Sequence, residues 1–124
     1  MKKKQGKDKN IYDVIIIGLG MAGLTSAVYT ARANLKTLIF GNINNSMLIS
    51  AREIGNYIGA DGLGGEELLE RGVKQVEKYG AKVIQKDVIH AVKKDKVFFV
   101  KTEDGELYKS KILVIATGVA LKAS

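Results

Sequence analysis

A chain of 124 residues, 46% of them hydrophobic, is long enough for one domain with a buried core, and it has no unbroken apolar run of bilayer-spanning length. It contains no cysteine, which excludes a disulfide, a thiolate metal site and thiol redox chemistry of its own. Of the net charge of +7, the first ten residues hold +4, and the remaining bases are scattered without interleaved aromatics, an arrangement that argues against nucleic acid as a partner.

Residues 1–10, with Lys2, Lys3, Lys4, Lys7 and Lys9 against Asp8, are expected to form a disordered basic tail ahead of a single domain over residues 11–124. An arm that binds acidic partners is the alternative reading of these lysines. No hydrophobic region that resembles a signal peptide follows them, so a cytoplasmic protein with no membrane partner is the expectation.

The first predicted strand spans Ile11 to Ile17. Val14 to Ile17 are four β-branched residues without alternation, as in a parallel strand covered on both faces. It runs into Gly18-Leu19-Gly20-Met21-Ala22-Gly23, a Gly-x-Gly-x-x-Gly turn that opens a helix. Gly18 allows the tight turn, and Gly20 lets a pyrophosphate approach the backbone. Gly23 lets the helix pack close to the strand, while the amides at the helix start attract the anion. A glycine fingerprint between a strand and a helix is a strong signal; the alternative is a glycine-rich turn without a ligand.

The helix is predicted from Met21 to Ala33, with Ala22, Leu24, Ala27, Val28 and Ala31 as a small apolar side and Asn34 at its end. Lys36 to Phe40 is a second buried strand, which completes a right-handed βαβ unit. An acidic residue is expected near the end of that strand to hold ribose hydroxyls. Gly41 and Asn42 stand there instead, and no carboxylate occurs between Asp13 and Glu53. Asn42, Asn44 or Asn45 can hydrogen-bond a ribose, or Gly41 to Ser46 is only a polar turn; the residues leave both open.

Ile43 to Asp61 lacks periodicity and has the length of a binding loop. A helix is predicted from Gly64 to Tyr79, apolar through Leu68, Leu69, Val73 and Val76, with Gly72 as a weakness or a point of close packing. Strands follow at Lys82 to Lys86, Val88 to Val92, Val97 to Thr102 and Glu106 to Ser110, the last three as an antiparallel meander turning at Glu103-Asp104-Gly105. Ile112 to Ile115 is predicted as a further, fully buried strand ending in Ala116-Thr117-Gly118, at the edge where open α/β sheets bind ligands. His90, the one histidine, reads as structural, and nothing resembles a catalytic triad, metal site or P-loop.

The order βαβ, loop, helix, strand, meander and strand resembles the N-terminal FAD-binding segment of the thioredoxin reductase family. The likeness covers Asp13 to Gly118 and is carried by Val14 to Thr25, Tyr29 to Leu35, Ile115 to Gly118 and the loop Glu53-Ile54-Gly55-Asn56-Tyr57-Ile58-Gly59. It implies an α/β, Rossmann-like FAD-binding fold: a parallel sheet with flanking helices plus a three-stranded antiparallel meander. It implies that Gly18, Gly20, Met21, Ala22 and Gly23 cradle the FAD pyrophosphate and that Phe40, Gly41 and Asn42 border the ribose. Met47 and Leu48 then lie near the flavin, Asn56 faces its ring, the Val88 backbone meets the adenine, and Ala116, Thr117 and Gly118 close over the cofactor.

Three departures stand out. The family's Gly-Gly-Gln is here Asn45-Ser46-Met47, its fingerprint proline is Met21, and its loop proline is Ile58. By the resemblance this is the first half of an FAD domain, without the NADPH domain, its redox cysteines or the later return segment. The implied function is the FAD-binding portion of a flavin-dependent oxidoreductase, incomplete and inactive alone. Its implied partners are FAD, a second chain or remaining segment that completes the flavin site, and a second copy in a homodimer. A non-catalytic nucleotide-binding or interaction module on the same scaffold is the alternative.

Overall fold

The computed structural model describes residues 11–45, 59 and 62–117. Six strands form one sheet in the order β3-β2-β1-β6-β5-β4. They are β1 (Ile11–Ile17), β2 (Thr37–Phe40), β3 (Lys82–Ile84), β4 (Val88–Lys94), β5 (Val97–Thr102) and β6 (Leu107–Ile115). Helix α1 (Met21–Arg32) joins β1 to β2, and α2 (Gly65–Lys78) precedes β3. Pairing is parallel among β3, β2, β1 and β6 and antiparallel among β6, β5 and β4. The Rossmann-like sheet and the three-stranded meander expected from the sequence are both present.

The absence of alternation in β1 has the anticipated cause. Val14, Ile15 and Ile16 are all buried, and their side chains go alternately to two cores. Val14 and Ile16 join Ile39, Leu24, Ala27, Ala31, Leu69 and Val76 under the helices. Ile15 joins Leu38, Phe40 and Val100, with Val88 and Tyr108 packed against them, so meander residues cover the second face. Each such isoleucine contributes about 2 kcal/mol of burial relative to exposure. The buried hydroxyls are bonded: Thr37 shares a hydrogen bond of 2.8 Å with Thr30, and Ser110 donates to the Ile112 carbonyl at 2.8 Å.

The element ends follow local chemistry. Asn34 takes the left-handed conformation, φ 65°, just past the C-cap of α1 at Ala33. Asp95 and Lys96 both have positive φ in the two-residue turn between β4 and β5, as a type I′ connection requires. Gly72 is a close-packing point: a Cβ there would stand 2.8 Å from Leu24 Cδ1, so α2 approaches α1 over a missing side chain.

Several sequence expectations need correction. Glu106 to Ser110 and Ile112 to Ile115 are one continuous strand, β6, because its pairing with β1 begins at Lys109 while its pairing with β5 extends to Ser110. The second part of β6 is not fully buried: Ile112 is 50% and Ile115 57% exposed. Beyond Ser110 this strand pairs with β1 on one edge and, among the described residues, with no strand on the other. Ala22 is exposed, since the buried stripe of α1 is Gly23, Leu24, Ala27 and Ala31. β3 stops at Ile84, two residues short of the predicted end.

Candidate functional site

The strand ends that meet at one edge of the sheet are tied by backbone hydrogen bonds. Gly18 N–H donates to the Phe40 carbonyl at 2.8 Å, Ala116 N–H to Ile17 at 2.7 Å, and Gly41 N–H to Ile84 at 3.3 Å. These bonds carry the pairings Ile17↔Phe40, Ile17↔Ile115 and Phe40↔Ile84 one residue past the strands. β1 has β2 on one side and β6 on the other, so the turn after β1 sits at the topological switch point of the parallel half, where ligands of open α/β sheets bind.

Two fingerprint glycines are required by the scaffold itself. Gly18 has φ +127°, and a Cβ on it would lie 2.2 Å from the Ala116 carbonyl oxygen. A Cβ on Gly23 would lie 1.9 Å from the Gly18 carbonyl oxygen, so α1 packs directly on the turn. Gly20, the N-cap, has φ −112° and ψ −166°, ordinary extended backbone open to any residue. The fold's dihedrals therefore give no reason for glycine at position 20.

The first helical bond runs from Leu24 N–H to the Gly20 carbonyl at 2.9 Å. The amides of Met21, Ala22 and Gly23 stand ahead of that ladder, with no side-chain cap from Gly20 and no acidic residue in the first turn. Such a helix start carries a partial positive charge with nothing of opposite sign beside it on the helix. Met21 is half-buried and packs against the helix-side core.

At the end of β2, Phe40 is fully buried and meets the Tyr108 ring edge-on, with centroids 4.8 Å apart. Burial pushes the Tyr108 phenol above its usual range. Gly41 has φ +154°, and a Cβ there would stand 2.7 Å from both the Leu19 amide nitrogen and the Leu19 Cβ. The end of β2 thus abuts the fingerprint turn. Asn42 follows, half-buried, and its Oδ1 accepts the Asn44 N–H at 3.0 Å to start the 3₁₀ turn Ile43–Asn45.

Of the residues singled out from sequence, Gly18, Gly20, Met21, Ala22, Gly23, Phe40, Gly41, Asn42, Ala116 and Thr117 lie on this edge. Val88 sits at the start of β4 and shares the apolar cluster of Phe40. Met47, Leu48, Asn56 and Gly118 fall outside the described residues. Sequence reasoning missed Leu19, Gln85 and the pair Lys86 and Asp104. Gln85 Oε1 accepts Ile43 N–H at 3.5 Å, across 42 residues of sequence, so no local pattern could announce it. Lys86 hydrogen-bonds Asp104, which also accepts from Thr102 Oγ1 at 2.6 Å; these bonds lower the Asp104 carboxyl to about 2.

Residues 12–123 match the model of the pyridine nucleotide-disulphide oxidoreductase family. Among curated relatives, the thioredoxin reductase of Peptoclostridium litorale is 36% identical over 116 residues, covering 92% of this chain and 36% of that protein. The thioredoxin reductase of Aquifex aeolicus is 38% identical over 122 residues, covering 97% of this chain and 38% of its own length. Among solved structures, a thioredoxin reductase from Gloeobacter violaceus superposes with a TM-score of 0.83 at 35% identity, over 91% of this chain and 36% of that one. The chain thus spans a little over a third of the length of these relatives.

Proposed function

The chain belongs to the pyridine nucleotide-disulphide oxidoreductase family, of thioredoxin reductase type, and from that premise we propose that it is the FAD-binding portion of a flavin-dependent oxidoreductase. The observation that carries this reading is the pairing of Gly20 with the amides of Met21, Ala22 and Gly23 at the switch point. A glycine without conformational need beside N–H groups that stand ahead of the helical hydrogen-bond ladder fits an anionic group lying against the backbone. The donor set is uncharged and closely spaced, which suits a diphosphate.

In this reading the fingerprint turn holds the FAD diphosphate, Phe40, Gly41 and Asn42 border the ribose, and the Val88 backbone borders the adenine. Ala116, Thr117 and Gly118 close over the cofactor, with Met47, Leu48 and Asn56 towards the flavin. Bound FAD supplies the electron transfer, and this portion of the protein binds and orients it. No side chain here serves as acid, base or nucleophile. A remaining segment or a second chain completes the flavin pocket and contributes the pyridine-nucleotide and disulfide chemistry; assembly as a homodimer in the cytoplasm belongs to the same proposal.

Equilibrating the purified chain with FAD and removing free ligand by gel filtration tests the reading. A flavin absorption band co-eluting with protein is the expected result, and a colourless protein refutes FAD binding. The replacement of Gly-Gly-Gln by Asn45-Ser46-Met47 favours a second reading, a nucleotide-binding module without catalysis. A protein that binds ADP and leaves FAD in solution selects it.

A further inference from the structure

The edge beside β2 lacks the acid that a ribose-binding site of this architecture usually carries, and the structure indicates what that edge does instead. Gly41 cannot take the role. Its φ of +154° disfavours a side chain, and any Cβ would strike Leu19 at 2.7 Å. The first side chain past β2 is therefore Asn42.

The orientation of the Asn42 amide follows from its own turn. Asn44 N–H needs an acceptor, so the atom 3.0 Å from it is the carbonyl oxygen of Asn42, and the amino group is the end of the amide not used in that bond. The turn is also held from the residue after β3, Gln85, whose Oε1 accepts Ile43 N–H. No carboxylate occurs in sequence between Asp13 and Glu53, and Asp104, on the neighbouring hairpin turn, is paired with Lys86.

An acidic side chain at this place accepts hydrogen bonds from ribose hydroxyls and repels a phosphate on the 2′ oxygen; a donor does the reverse. Resting on the dinucleotide-binding reading above, we infer that Asn42 makes this a donor edge, which admits adenine dinucleotides phosphorylated at the ribose 2′ position alongside unphosphorylated ones. The ligand class of the site is thus wider than FAD.

Calorimetric titration of the chain with FAD, ADP-ribose and 2′-phospho-ADP-ribose tests this. The parent should bind the two ADP-ribose forms with affinities within about threefold of each other. Asn42→Asp keeps the turn's acceptor and replaces the donor with a charge. It should favour ADP-ribose and shift the ratio against the 2′-phosphorylated form by about tenfold or more. Asn42→Ser, which removes the amino group without adding charge, should shift the ratio a few-fold in the same direction. Exclusion of the 2′-phosphorylated form by the parent, or a ratio unmoved in Asn42→Asp, overturns the inference while FAD and ADP-ribose binding leave the dinucleotide reading standing. Failure of all three ligands to bind overturns both.

Discussion

The side chain that Gly23 lacks would place its Cβ 1.9 Å from the carbonyl oxygen of Gly18, so the first turn of α1 rests on the backbone that ends β1. The neighbour is main chain, tied in turn to Phe40, and cannot swing aside. Gly23→Ala should therefore destabilise the domain by on the order of 3 kcal/mol, although alanine is the better helix former. Gly72→Ala is the control. There the neighbour is the flexible tip of Leu24, so its cost should stay below about 1 kcal/mol. Urea unfolding of both variants measures the difference.

The outer half of β6 should tolerate polarity that the rest of the parallel sheet does not. Ile115 is 57% exposed whereas Ile16 is fully buried. Ile115→Thr keeps a β-branched residue and should change stability by no more than about 0.5 kcal/mol. Ile16→Ala should cost about 2–5 kcal/mol. Equal losses in thermal unfolding would mean that Ile115 is covered in solution.

The pair formed by Lys86 and Asp104 gives a signed pH dependence. Hydrogen bonds from Lys86 and then Thr102 lower the folded-state carboxyl from 3.8 to about 2. Its contribution is present above the unfolded value and is lost as pH falls between roughly 4 and 2. The hydrogen bond to Asp104 raises Lys86 above 10.5, so the other limit comes as pH rises past that value. Carboxyl NMR of the chain should show Asp104 titrating near 2, and Asp104→Asn should flatten the acid limb of the stability profile by lowering stability at neutral pH while leaving it unchanged at the acid end.

What the sequence disclosed depended on whether the signal was local. Val14 to Ile17 followed by Gly18, Gly20 and Gly23 placed strand, turn and helix together, since buried β-branched residues and glycines act within a few residues. The β5–β6 hairpin was legible for the same reason. The exposure of Ile112 and Ile115 was not: a continuous apolar run reports what can be buried, and burial here depends on which strand lies beyond β6. Gln85 and Asp104 were also hidden, because their partners Ile43 and Lys86 are 42 and 18 residues away and meet them only after the sheet forms. At the site, the fingerprint revealed the phosphate turn, whereas the polarity of the ribose edge emerged only from the bond between Asn42 and Asn44.

Fluorescence titration of FAD into the parent chain and into Gly20→Val shows whether the backbone amides after β1 hold a diphosphate. Valine suits the φ −112°, ψ −166° backbone at position 20, so the variant should unfold within about 0.5 kcal/mol of the parent. The parent should bind FAD saturably, and Gly20→Val should lose about 100-fold or more in affinity, as its branches occupy the place of the phosphates. FAD binding of equal strength by the two proteins would rule out a diphosphate at this turn.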